Sequence, residues 1–174
     1  MKKLDIITSA FNEEECLPEL FLRIANVMLA EVDYSWRIIV FDNGSTDNTW
    51  PIIQKYSTLN PQIVGYRMSR NFSLDSALTS GLDRADGDVC ILMTSDLQDP
   101  PEILEKFHDL WVEGNLIVYG IRTSRKESWL MNSTRRLGYH AINVLSEHPI
   151  PTNAGDFRLL DRKVVEALKS TKTP

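Results

Sequence analysis

The chain has 174 residues, a length that fits one globular unit able to bury about two-thirds of its unfolded surface. Hydrophobic residues make up 43% and charged ones 25%, an ordinary globular balance, and the net charge of −5 speaks against nucleic acid as a partner. No apolar run approaches the roughly 20 residues that span a bilayer, and no signal-peptide pattern is present. Neither Cys16 and Cys90 nor His108, His140 and His148 stand at metal-ligand spacing. Both cysteines are expected to be reduced core thiols of a cytosolic protein.

Leu4–Ala10 reads as a first strand, broken by the polar run Phe11-Asn12-Glu13-Glu14-Glu15. Leu17, Leu20, Phe21, Ile24, Val27 and Met28 then recur at helical spacing, with Pro18 suited to the first turn. Arg37–Phe41 is a second buried strand, closed by Asp42-Asn43-Gly44-Ser45-Thr46-Asp47. Gly44 permits a positive-φ turn there, and Thr46 or Asp47 can cap the helix that carries Ile52 and Ile53. Ile63–Met68 is a third strand, followed by Ser69-Arg70-Asn71-Phe72 and a helix marked by Leu74, Ala77, Leu78, Leu82 and Ala85, with Gly81 on the same stripe for close packing.

Val89–Met93 is a fourth buried strand that stops at Thr94-Ser95-Asp96. Pro100 and Pro101 then open a helix with the stripe Ile103, Phe107, Leu110 and Trp111. Asp96, Gln98 and Asp99 crowd into the loop between, where two readings compete. Two carboxylates and an amide oxygen suit a hard cation, and equally Asp96 and Asp99 can cap the following helix. Leu116–Ile121 is a fifth strand. Beyond it the polar run Arg122–Lys126, a helix around Leu137, Ala141, Val144 and Leu145, a turn and short strand over Asn153–Leu159, and a last helix from near Asp161 are expected.

Four strand–helix alternations with buried strands imply an α/β fold, a doubly wound, mostly parallel sheet flanked by helices. Ligands bind at the carboxyl ends of such strands. The polar clusters Asn12–Glu15, Asp42–Asp47, Arg67–Asn71 and Asp96–Asp99 each follow a strand and are expected to share one edge. The absence of GxGxxG and GxxxxGK[ST] weighs against a nicotinamide dehydrogenase and a P-loop enzyme. A response-regulator-like fold wants an acidic pair after the first strand and a lysine after the fifth, where Arg122 stands instead.

FNEEE (Phe11–Glu15), DNGSTDNT (Asp42–Thr49), RNF (Arg70–Phe72), SDLQDPPE (Ser95–Glu102), GIR (Gly120–Arg122) and AGDFRLLDR (Ala154–Arg162) occur in this order along nearly the whole chain. The set resembles family-2 glycosyltransferases of GT-A fold, above all the polyisoprenyl-phosphate branch of dolichyl-phosphate mannose synthases and bactoprenol glucosyltransferases. The resemblance implies a single catalytic domain over 1–174, a UDP- or GDP-sugar donor, Mg²⁺ or Mn²⁺, inverting transfer and a polyprenyl phosphate acceptor. It places Asp42 on the base, with Asn12, Glu13, Thr94, Ser95, Asp96 and Arg70 around the nucleotide sugar. It likewise implies that Asp96 and Gln98 hold the metal, that Asp156 and Asp96 are catalytic, and that Arg122 and Arg158 meet the acceptor phosphate.

Three motifs depart from that pattern: Thr94 replaces the first acid of Asp-x-Asp, Asn43 the second acid of DDGS, and Ser73-Leu74 the glycine and lysine of an RNFGKE loop. All three lie on the donor side, which leaves open a nucleotide-sugar binder with little transfer, or a transferase with a glycan acceptor. Family members continue past the GDFRL segment with membrane-associated elements, so the chain is expected to be a soluble core or a short form, working in the cytoplasm at a membrane's cytoplasmic face. The basic group Arg122, Arg125, Lys126, Arg135 and Arg136 can meet anionic headgroups at about 1 kcal/mol each, or form a solvated face.

Overall fold

The structure, a computed structural model, describes residues 2–30, 34–121 and 154–171. The chain runs β1 (Lys2–Ala10), α1 (Leu17–Ala30), β2 (Tyr34–Asp42), α2 (Thr49–Leu59), β3 (Ile63–Arg67), α3 (Leu74–Arg84), β4 (Val89–Thr94), a 3₁₀ turn (Pro101–Ile103), α4 (Leu104–Val112), β5 (Ile117–Ile121), β6 (Ala154–Asp161) and α5 (Arg162–Ser170). Every strand and helix expected within these residues is present. Arg122, the RTSRK run and the helix around Leu137–Leu145 lie outside the described residues.

One six-stranded sheet orders the strands β3-β2-β1-β4-β6-β5. β1, β2, β3 and β4 pair in parallel, whereas β6 runs antiparallel to both β4 and β5. The sheet is therefore mostly parallel, with one reversed strand seated between β4 and β5.

Alternation along each strand divides the core into two layers. Ile6, Ile38, Ile91 and Leu159 face the cluster filled by α1, α2 and α4, while Ile7, Ile39, Leu92 and Leu160 face α3 and α5. Each fully buried aliphatic side chain contributes about 1.5–3 kcal/mol of transfer free energy. Gly81 of α3 is required by this packing, because an added Cβ would collide with Ile7 Cγ2. The layering also dictates where a ligand can sit. The path β1-α1-β2-α2-β3 builds outward with its helices on one face, and α3 then crosses the other face back to β4. Strand order reverses between β1 and β4, so the loops after those two strands diverge and open a crevice at the carboxyl edge.

Asp161 ties the end of β6 to two helices. Its Oδ1 accepts from Lys163 N at 2.9 Å and caps α5, and its Oδ2 accepts from Trp111 Nε1 of α4 at 2.7 Å. Burial pushes this carboxyl up, but the indole and the Lys163 amide outweigh it and hold the group below the usual carboxylate range. Among the described residues no helix is long and apolar enough to cross a membrane.

Candidate functional site at the carboxyl edge

The four polar loops do meet. Asn12 N donates to Ser45 Oγ at 3.0 Å, Thr46 N to Asn12 Oδ1 at 2.9 Å, and Glu13 N to Thr49 Oγ1 at 2.8 Å, joining the loops after β1 and β2. Ser95 Oγ donates to Ser9 O at 2.8 Å and joins the β4 loop to β1. A cavity of about 220 Å³ opens where they converge, lined by Ser9, Phe11, Glu13, Asn43, Asn71, Leu74, Thr94, Ser95 and Asp96. Backbone strain borders it on two sides: Asn12 has φ 56° and Leu97 φ 59°, left-handed conformations that non-glycine residues hold only when their surroundings enforce them.

The β2 loop is shaped by Gly44, at φ +79°, where an added Cβ would stand 2.6 Å from the Arg70 carbonyl carbon. This close approach brings Asn43 against the β3–α3 loop. Asn43 Nδ2 donates to Asn71 Oδ1 and to Ser73 O, both at 3.2 Å, and its Oδ1 accepts from Phe72 N at 3.0 Å. An aspartate cannot donate, so this departure from DDGS has a structural reason: the amide clamps a loop whose sequence also departs from the family pattern. Ser73, the second departure, caps α3 by accepting from Ser76 N. Leu74 gives the cavity an apolar wall.

Thr94, the third departure, places Oγ1 at 2.7 Å from Asp96 Oδ1 and 3.1 Å from Asp99 Oδ2. Gln98 N also donates to Asp96 Oδ1, at 3.1 Å, which leaves Asp96 Oδ2 without a donor among the described residues. The capping reading of Asp96 and Asp99 does not hold. The residue preceding the 3₁₀ turn is Pro100, no side chain caps that turn or α4, and Asp99 is turned inward at 4% exposure. Thr46 is not the cap of α2 either; Asp47 Oδ1 accepts from Thr49 N at 3.0 Å, while Asn48 N is bound by Glu14 Oε2 at 2.9 Å.

Asp42 lies beneath the rim at 0% exposure rather than in the cavity wall. Its Oδ1 accepts from Ser45 N at 2.9 Å. Arg67 Nε stands 3.0 Å from Oδ2 but without the alignment of a hydrogen bond, so that oxygen is buried and unsatisfied by any aligned donor. Arg67 also donates to Ser45 O at 3.2 Å and lies 5.8 Å from the Trp50 ring centre. The sequence places Arg67 in a polar cluster at this edge without giving it a role, although a cation at the end of the strand beside β2 is a signal that register supplies. Arg70 is not in the cavity lining and lies 4.7 Å over the Phe72 ring.

Glu13 lines the cavity near Asp96. Burial raises its carboxyl, a hydrogen bond with Cys16 lowers it, and the charges of Asp96 and Asp47 raise it further. Cys16 is thus a half-buried rim residue, which corrects its reading as a core thiol. Cys90 is the core thiol, pushed up to about 12 chiefly by burial. Gln98 is exposed and outside the cavity lining. Arg158 pairs with Leu92 across β4, and extending that register brings Asp156 level with Thr94 at the same edge. There Asp156 Oδ1 is held by Arg158 at 3.2 Å. No three acidic, histidine or cysteine side chains converge as a cation cage among the described residues.

A mixed sheet of this order, with a polar cavity over its switch point, is the GT-A architecture. Solved structures with this fold include mannosyltransferase PcManGT from Pyrobaculum calidifontis in complex with GDP-Man and Mn²⁺, with a TM-score of 0.61, 16% identity and coverage of 96% of this chain and 46% of that one. Glucosyl-3-phosphoglycerate synthase from Mycobacterium tuberculosis, in complex with Mn²⁺, UDP-glucose and phosphoglyceric acid, gives 0.67, 17%, 94% and 57%. The Glycosyl transferase family 2 sequence model matches residues 5–169, and the chain belongs to that family. An uncharacterized glycosyltransferase of Synechocystis sp. is 41% identical over 168 residues, 96% of this chain and 52% of the relative. The bactoprenol glucosyl transferase of Shigella phage SfV is 34% identical over 168 residues, 96% of this chain and 54% of the relative, which bears out the branch the motifs resemble. The chain spans about half the length of these relatives.

Proposed function

We propose that residues 1–174 are the donor-binding catalytic unit of a metal-dependent, inverting glycosyltransferase that moves a sugar from a UDP- or GDP-sugar to a polyprenyl phosphate at the cytoplasmic face of a membrane. The observation that carries this reading is the cavity over the β1/β4 switch point, with the Asp96 carboxylate in its wall and one oxygen left for a ligand.

Asp42 Oδ2, buried and lacking an aligned donor, suits an imide or amidine N–H of a nucleobase, with Arg67 moving outward as the base enters. The donor set fits Mg²⁺ or Mn²⁺ carried in on a diphosphate better than a resident ion, since such cations commonly take one or two carboxylates and complete their shell with substrate phosphates and water. Asp96, and Gln98 two residues on, would hold it. When bound, the cation offsets the charge that grows on the departing nucleoside diphosphate. Thr94 fixes the Asp96 carboxylate by a hydrogen bond to Oδ1.

A phosphate monoester has its second pKa near ~6 and is largely ionised at neutral pH, so the attacking oxygen needs little help from a base. Asp156 then orients the acceptor at the β6 end of the rim, and Arg158 and Arg122 supply positive charge for it. The test is donor consumption with Mn²⁺ and undecaprenyl phosphate by wild type and Asp96→Ala. Wild-type turnover that collapses in the variant is expected; equal turnover in both removes Asp96 from its role. A nucleotide-sugar binder with little transfer is the second reading, favoured by the acid missing at Thr94. Its signature is nucleotide uptake without lipid product until Thr94→Asp restores transfer.

A further inference from the structure

The cavity contains two acids, Glu13 and Asp96, and no lysine or arginine lines it among the described residues. Two like charges in a partly buried site repel, and a fold keeps them together at a cost unless something positive completes the site. The backbone of Glu13 is fixed on both sides. Its N–H is bound by Thr49 Oγ1 at 2.8 Å, and its carbonyl accepts from Cys16 N at 3.2 Å and Leu17 N at 3.1 Å. The strained residue before it, Asn12, turns the chain at the end of β1. On the β4 side, Thr94 occupies the position where the related motif carries an acid, and its hydroxyl is engaged with Asp96 and Asp99.

Resting on the glycosyl-transfer reading, we infer that Glu13 supplies the second carboxylate for the divalent cation of the nucleotide diphosphate. The acid pair is then drawn from two strands, Glu13 after β1 and Asp96 after β4, instead of from one Asp-x-Asp loop. Thr94 becomes a residue that orients Asp96. A cation held by both carboxylates would join the loops after β1 and β4.

The test is Mn²⁺ uptake followed by electron paramagnetic resonance at fixed UDP or GDP, alongside calorimetric binding of the same nucleotides without metal. Glu13→Gln is expected to weaken Mn²⁺ uptake by at least about tenfold and metal-free nucleotide binding by far less. Glu13→Asp, which keeps the charge on a shorter arm, falls between. Thr94→Asp placed in the Glu13→Gln background recovers most of the loss. Wild-type uptake retained in full by Glu13→Gln overturns the assignment and leaves the transferase reading standing. An equal loss of metal-free nucleotide binding also overturns it, making Glu13 a nucleotide contact. Absence of Mn²⁺ uptake by wild type with either nucleotide overturns both. Circular dichroism of each variant guards against reading a folding defect as a lost ligand.

Discussion

The two ends of the same parallel strands carry charged clusters of opposite character. At the amino edge Asp5 is only 2% exposed, and both of its oxygens are occupied. Arg37 grips it with Nε and Nη2, each at 2.9 Å, and the amides of Asp86 and Gly87 each donate to Oδ2 at 2.9 Å. Arg37 continues to Asp86 at 2.6 Å, and Lys3 reaches the same carboxylate at 3.3 Å. A cavity of about 150 Å³ lies beside this cluster. At the carboxyl edge the cavity is about 220 Å³, and among the described residues Asp96 Oδ2 has no donor, Asp42 Oδ2 faces Arg67 at 3.0 Å without an aligned hydrogen bond, and Glu13 lies near another acid. A cavity therefore says little by itself. What separates a fastening from a site is whether the hydrogen-bonding capacity of its carboxylates is already filled.

The largest stability effect is expected at the amino edge. Arg37→Ala strips Asp5 of its cation and should cost about 3 kcal/mol in urea unfolding, while nucleotide binding by the folded protein is unchanged. Gly44→Ala, at the carboxyl edge, meets both a left-handed φ and the Arg70 backbone; a loss of about 2 kcal/mol and a loosened Asn43 clamp should appear in the same titration and in hydrogen exchange at Phe72. Asp161→Ala removes the cap of α5 and the charged acceptor for Trp111 at the amino edge, for about 1 kcal/mol at pH 7. Because the folded carboxyl is held below its ordinary value of 3.8, the stabilisation is present above that pH and disappears as pH falls through the folded value. Wild type and variant should thus converge in acid. Asp96→Asn is the smallest, within about 0.5 kcal/mol of wild type, even as Mn²⁺–nucleotide uptake is lost. Should Asp96→Asn unfold as readily as Arg37→Ala, the two edges are not different in kind.

The alternation of buried strands and helices was legible because each periodicity is local, and Leu17 through Met28 or Ile38 beside Ile39 announce their faces without reference to anything distant. That the polar clusters meet followed from topology alone. The use of each polar residue did not, since it depends on partners far along the chain. Asp99 reads from sequence as a cap or a ligand, and only the fold shows it turned inward toward Thr94. Asn43 reads as a lost acid and proves to be a clamp across 28–30 residues of chain. A turn and short strand around Asn153–Leu159 were expected, but not the reversed direction of β6 or its place between β4 and β5, because residue pattern marks a strand and is silent about its neighbours.

That placement governs when the molecule can be completed during synthesis. β4 and β5 do not touch in the sheet; the gap between them is closed by β6, which emerges from the ribosome after both. Until then the nascent chain presents β4, with Ile91 and Leu92 beside an open ladder, and lacks the partner that docks β5. Folding of this half must wait for a contact spanning about seventy residues, so slow late closure and a vulnerability to premature termination are built into the topology.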